Sequence, residues 1–217
     1  MKIERVAPLL GGAGLLAVLG ACSLGPAPRA PLALYDLGAR ADRGVESAER
    51  MPFVFVVHEP TGPPWLDGGD ILYRLAYNEP LRLRRYANSQ WAVSPLTVVG
   101  DRLRAELGTR CAHAGAVPDV GIPADYWVRV AVEEFGQVFD SPATSRGVVR
   151  LRLVLVKGRG HAFVAQREFV AQADAPSPDA RGAVTALASA LDESAAQAVA
   201  WIAEVVAPQA SAGSVAR

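Results

Sequence analysis

The chain is poor in the residues from which catalytic and metal centres are usually built. Its 217 residues include two cysteines and three histidines. Cys22 and Cys111 lie far apart, so no C-x-x-C pair exists to hold zinc or exchange disulfides. His58, His113 and His161 are scattered, and neither H-E-x-x-H nor G-x-S-x-G occurs. Glu133 and Glu134 are adjacent on a predicted strand, where neighbours point to opposite faces, so they are not expected to form an acid–base dyad. Without a starting constellation for a reaction, no catalytic residue, metal or cofactor is expected. Excess charge is missing too, with 22 Lys+Arg against 22 Asp+Glu. Binding to nucleic-acid phosphates needs a basic excess or stripe, so nucleic acid is not an expected partner. A permanent membrane helix is also missing at the N-terminus, because the apolar run Val6 to Leu19 falls short of roughly 20 residues and contains Pro8.

That short apolar run has another use. A weakly basic start, Met1-Lys2-Ile3-Glu4-Arg5, precedes it, and Leu19-Gly20-Ala21-Cys22 ends it. A plain secretory peptide closes on an A-x-A-like site, which this tetrapeptide fits less well. The pattern resembles a bacterial lipoprotein signal spanning residues 1–21, after which Cys22 carries the acyl chains, palmitate among them. Ser23 follows the cysteine, as in Gram-negative lipoproteins sent to the outer membrane, so the periplasmic face of that membrane is the expected location. Several acyl chains hold a protein where one gives only marginal binding. A lipidated Cys22 leaves Cys111 without an intramolecular disulfide partner, and Cys111 reads as a packed thiol near a helix end.

Residues 22–31 form a Pro-rich, extended tether. A short strand is expected at Leu32–Gly38, then a polar loop to Arg50. Pro52–Glu59 is a continuous apolar run of the kind found in a strand covered on both faces. Pro60–Gly69 is loop. Asp70–Tyr77 and Leu81–Tyr86 read as a hairpin around Asn78-Glu79-Pro80, with Leu81 and Leu83 alternating against Arg82 and Arg84. Ser94-Pro95 starts a helix whose stripe is Leu96, Val99, Leu103 and Leu107, with Gly108 as its stop. Cys111–Pro123 reads as loop that leaves room for a short extended piece. Asp125–Phe139, Arg146–Lys157 and His161–Ala173 are predicted to form an antiparallel meander, turned tightly at Gly158-Arg159-Gly160. Pro178–Val206 is a long helix with the stripe Val184, Leu187, Leu191, Ala195, Ala198, Ile202 and Val206, and Asp179 favours its N-terminal dipole. The domain runs over 32–207, and 208–217 reads as a disordered tail. Two helices and many strands predict an α/β fold: a mixed, largely antiparallel sheet with both helices packed on it.

Several local patterns recur in a set order. Leu34-Tyr35-Asp36-Leu37 follows the lipoprotein signal, and Leu66-Asp67-Gly68-Gly69-Asp70-Ile71-Leu72-Tyr73-Arg74 follows the Pro-rich loop. Tyr86 precedes Trp91-Ala92-Val93-Ser94-Pro95 and the helix carrying Leu103 and Leu107. Together they resemble the ABC-type transport auxiliary lipoproteins, including the lipoprotein of the Pqi-type MCE transport systems. The resemblance implies a domain similar to the N-terminal domain of TolB. It also implies a non-enzymatic accessory role beside MCE-domain proteins and ABC transporter subunits that move lipids or other hydrophobic substrates across the envelope. Its recurring positions match Tyr73, Tyr86, Trp91 and Pro95, which read either as an aromatic brace or as a partner or ligand surface. Arg82, Arg84 and Arg85 read either as guards of a sheet edge or as contacts to an anionic partner or to lipid headgroups. The competing function is a structural or assembly lipoprotein with no transport role. A homo-oligomer is left open.

Overall fold

Every long strand in the chain is there because alternating apolar residues need a layer to cover them, and two helices supply it. The structure is a computed structural model that describes residues 31–38, 50–115 and 123–214. The signal 1–21, Cys22 and the tether up to residue 30 lie outside the described residues, as do 39–49 of the polar loop.

The elements in chain order are β1 (Ala33–Tyr35), β2 (Met51–Val57), β3 (Asp70–Leu75), β4 (Glu79–Trp91), α1 (Pro95–Arg110), β5 (Cys111–Gly115), β6 (Tyr126–Phe139), β7 (Ser145–Lys157), β8 (Phe163–Asp174) and α2 (Ala180–Ser214). Among the described residues the eight strands join one mixed sheet, in the order β1-β4-β3-β6-β2-β5, with β7 beside β6 and β8 beside β7. The long ladders of the β6–β7–β8 meander are antiparallel, as is the β3–β4 hairpin. β1 joins β4, and β2 and β3 join β6, as shorter parallel pairs.

β6 organises the rest. β7 occupies one of its edges over the full length, so β2 and β3 share the other. β2 takes the first residues, Phe55 opposite Tyr126, and β3 the last, Tyr73 opposite Gln137. Thr61 closes the gap between them: its N–H donates to Val130 O (2.9 Å) and its carbonyl accepts from Val132 N (2.7 Å). The alternation of β6 buries Tyr126, Val128, Val130 and Val132. A bulge between Val132 and Glu134 then shifts the phase, so Phe135, Gln137 and Phe139 are the buried set afterwards.

Both helices pack on this buried side. α1 buries the predicted Leu96, Val99, Leu103 and Leu107, and Ser94 Oγ accepts from Thr97 N (3.2 Å) as its N-cap. α2 buries Leu187, Leu191, Ala195, Ala198, Ile202 and Val206. Asp179 caps it by accepting from Gly182 N (2.8 Å), and that bond, with Ser177 next, holds the Asp179 carboxyl below its ordinary range. The approach of α2 to β7 is so close that a Cβ on Gly147 would lie 2.7 Å from the backbone of Ala186 and Leu187.

Four details differ from the sequence expectations, and the short extended piece allowed after Cys111 is found. α1 passes Gly108 and ends at Arg110, because Cys111 turns straight into β5 while its N–H still bonds to Leu107 O. Residues 111–115 pair with β2 as a strand. β4 runs on to Trp91, since β1 pairs with Ser89, Gln90 and Trp91 and so holds a polar stretch extended. A short 3-10 turn, Pro64–Leu66, stands within the loop 60–69. α2 continues through Pro208 to Ser214, where the reading placed a tail. Ala207, Ala210 and Ala212 supply helix propensity around a proline that lacks an N–H for Glu204 O.

Candidate functional site

The residues singled out by sequence surround the junction of the β3–β4 hairpin with β6 and the start of α1. Tyr73 and Tyr86 stand on neighbouring strands with ring centroids 4.8 Å apart, and Tyr73 meets Phe139 edge-on at 5.7 Å. The Tyr86 hydroxyl donates to Gln137 Oε1, and Gln137 Nε2 donates to Ser145 Oγ at 2.8 Å. Gln137 is fully buried, so this chain is how a polar side chain is accommodated in the core. Burial pushes the Tyr86 phenol well above its ordinary value, with Tyr73 and the Asp179 carboxylate adding to the effect.

Trp91 belongs to a separate contact. It is buried against Phe135, ring centroids 5.7 Å apart, at the far end of β4. Its N–H donates to Gly69 O and the next N–H, of Ala92, donates to Tyr35 O, both at 2.7 Å. Gly69 is needed there, because a Cβ would lie 3.0 Å from Trp91 O. Pro95 is the buried first residue of α1. Three sequence segments that are distant in the chain, around Tyr35, Gly69 and Trp91-Pro95, therefore meet at one seam. Of the predicted group, Tyr73 and Tyr86 touch, while Trp91 and Pro95 brace the adjoining seam.

The arginines divide. Arg82 and Arg84 both hydrogen-bond Glu79. Desolvation opposes ionisation of Glu79, but the hydrogen bonds and charges of Arg82 and Arg84 together prevail and lower its carboxyl pKa. Arg85 stands apart, 3.4 Å from Asp70. Leu81 breaks the expected half-buried pattern: it is 93% exposed, because the ladder between Tyr73 and Leu75 is irregular and leaves it without a strand to cover it. Arg74 donates to its carbonyl at 3.3 Å.

Other groupings were not visible in the sequence reading. Arg102 of α1 is buried 3.0 Å from Asp192 of α2 and also donates to the carbonyls of Leu37 and Gly38 at 3.4 Å. The signal was present: Arg102 lies between Val99 and Leu103 on the buried stripe, and Asp192 follows Leu191. Two open clefts of about 400 and 460 Å³ flank Arg102, but its guanidinium is already engaged on all three groups. Glu133 and Glu134, expected on opposite faces, share one, because the bulge turns both toward β7. Glu133 pairs with Arg152, and Glu134 lies 3.8 Å from Arg150, which also bonds Glu168. Each carboxylate is thus held by arginine rather than by its neighbour. His58 and His161 flank the Trp127 ring at 4.8 and 4.6 Å, and burial first, then Arg129 and His161, lower the His58 pKa. Cys111 is buried, and that burial raises its thiol to about 11, which keeps it protonated and unreactive. Cys22 and the His113 side chain lie outside the described residues. Among the described residues, no group of three or more His, Cys, Asp or Glu is placed to hold a metal, and no helix is long and apolar enough to cross a membrane.

The model of the family described as ABC-type transport auxiliary lipoprotein component matches residues 35–199. Among solved structures, protein XCC0632 from Xanthomonas campestris, of family DUF330, superposes with a TM-score of 0.67 at 17% identity, covering 83% of this chain and 97% of its own. The crystal structure of an uncharacterized protein superposes with a TM-score of 0.58 at 16% identity, covering 80% of this chain and 99% of its own. At such identities the likeness is one of fold: a mixed sheet with two helices on it. No curated protein matches the sequence.

Proposed function

The chain belongs to the ABC-type transport auxiliary lipoprotein components, and from that membership we propose that it is a non-enzymatic accessory subunit of an MCE-type system that moves lipids or other hydrophobic substrates across the envelope. The observation that carries this reading is the span of the match. Residues 35–199 include β2 to β8, α1 and the N-terminal half of α2, so the transport association attaches to the folded domain and not to a short motif. The family is described by a transport role and not by a reaction.

In this reading Cys22 carries the acyl anchor, at the periplasmic face of the outer membrane. The domain then works as a holder. Tyr73, Tyr86, Trp91 and Pro95 keep the hairpin and α1 in fixed relation. Arg82, Arg84 and Arg85 are offered at the surface to an acidic face of an MCE-domain or ABC transporter partner.

Crosslinking in the native envelope, followed by pull-down, is expected to recover an MCE-domain protein, and deletion is expected to disturb lipid traffic. Recovery of envelope-assembly proteins alone, with lipid traffic intact, would favour an assembly role and end the transport reading. Cys22→Ala is expected to move the protein from the membrane to the soluble fraction, and retention in the membrane would refute the anchor.

A further inference from the structure

The end of β2 meets the turn between β7 and β8 through three rings. The centroids of His58 and Trp127 are 4.8 Å apart, and those of Trp127 and His161 4.6 Å. His58 follows β2, and its N–H donates to Val128 O at 3.0 Å, which sets it beside Trp127 of β6. His161 lies in the turn with φ at +51°. A histidine in that left-handed region is held there by its surroundings, and the Trp127 ring is its contact. Two backbone bonds close the turn: Lys157 N–H to Ala162 O and Gly158 N–H to Asp125 O, both 2.8 Å.

His58 Nε2 is shielded from solvent and has no hydrogen-bond partner among the described residues. Protonation puts an N–H on both ring nitrogens, so the charged ring carries a shielded donor with no acceptor, which is costly. Among the described residues the charges that bear on His58 are Arg129 of β6 and His161 of the turn, and neither is an anion. The carboxylates of the adjoining segments are engaged elsewhere: Glu59 with Arg104 of α1 at 3.2 Å, and Asp125 with Val54 N–H at 2.8 Å. Lys157 donates to the Tyr126 hydroxyl at 3.0 Å, and Arg159 is exposed. Level with Trp127 and Arg129, β7 and β8 offer Val156, Phe163, Val154 and Gln166, none of them charged. β5 offers His113, at the level of Val54.

We propose that His58, Trp127 and His161 form a proton-sensitive clasp, closed while His58 is neutral and loosened when it takes up a proton, so that acid frees the β7–β8 turn from the end of β2. A proton drives such a change only through its different affinity for the two states. In the closed state burial first, then Arg129 and His161, hold the His58 pKa below its ordinary 6.5. In the open state the ring is solvated and regains its ordinary value, so the open state binds the proton better. The contribution of His58 to closure is therefore complete above pH 6.5 and is lost as pH falls through the lowered value. The device does not depend on the transport reading.

The test uses the full chain in detergent micelles. The His58 ring is titrated by nuclear magnetic resonance. Hydrogen exchange of the segment 157–163 is followed by mass spectrometry at about pH 7.5 and about pH 5, on either side of the ordinary histidine value, with the intrinsic exchange rate corrected at each. His58 is expected to titrate below 6.5. Protection of 157–163 is expected to fall several-fold in acid while the middle of β6 keeps its protection. His58→Gln takes up no proton and is expected to abolish that dependence. Arg129→Gln removes the positive neighbour, and is expected to move the His58 midpoint up toward 6.5 with the loss of protection following it. Arg129 is exposed, so this change leaves the fold intact. A His58 midpoint at or above 6.5 overturns the proposal, as does equal protection at both pH values or an acid loss shared by β6. It also fails if the acid loss persists in His58→Gln, or if the midpoint moves in Arg129→Gln and protection does not follow.

Discussion

At the scale of single residues, the decisive positions are polar groups in places where they need a partner. Arg102 and Asp192 are only 7% and 13% exposed. Removing one charge from a buried pair leaves the other uncompensated, at a cost of about 3–5 kcal/mol, whereas an apolar pair of similar volume is close to neutral. Asp192→Ala is therefore expected to lower the urea-unfolding free energy by that amount, and Arg102→Met with Asp192→Leu to recover most of it. If the single variant costs under about 1 kcal/mol, the pair does not tie the helices. Tyr86 gives a second residue-scale test. Its folded phenol ionises well above the ordinary 10.0 of the unfolded chain. Between those values the unfolded state releases a proton that the folded state keeps. Stability from this group is thus complete below pH 10 and declines as pH rises beyond it. Tyr86→Phe is expected to cost about 1–3 kcal/mol at neutral pH, because buried Gln137 loses its donor. The gap from the wild type should narrow above pH 10, as read from unfolding curves at successive pH values.

At the scale of elements, periodicity made the strands and helices legible, while their ends and irregularities depended on neighbours. The stripes of α1 and α2 and the alternation of β6 and β7 needed only 3.6-residue and two-residue repeats. Ser89 and Gln90 showed no strand pattern because β1, not their own side chains, holds them extended. The bulge at Glu133 was hidden for the same reason: an extra residue is defined by the strand opposite, where Glu134 meets Arg150 and Val132 meets Leu151. Gly147 is the element-scale test, since only a residue without Cβ lets α2 lie at its observed distance from β7. Gly147→Ala is expected to destabilise by about 1–3 kcal/mol through overpacking, more for valine. A thermal midpoint equal to the wild type for Gly147→Ala would mean that α2 packs further out.

At the scale of the whole molecule, one connected apolar cluster runs from Met51 on β2 through Trp91 and α1 to Trp201 and Val206 on α2. A single core predicts a single transition. Far-ultraviolet circular dichroism and tryptophan fluorescence should give coincident urea-unfolding curves, and separated midpoints would show that the meander with α2 opens independently of the β3–β4 hairpin. The candidate site follows the same division as the fold. Tyr73, Tyr86, Trp91 and Pro95 were legible as a group from their order along the chain, but their assignment to two braces, one on Gln137 and Phe139 and one on Phe135, was not. Arg82 and Arg84 were legible as charge, and their capture by Glu79 was not.

The sequence by itself determined the apolar periodicities, the helix start at Ser94-Pro95, the acidic residue at the start of α2 and the charge balance, because each depends on residues a few positions apart. Only the tertiary structure decided which charges are buried together, which face each side of a bulge presents, and that Leu81 stands bare while Leu83 is half covered. Those outcomes depend on pairing between strands and packing between helices far apart in the chain, and such contacts leave no mark on local spacing.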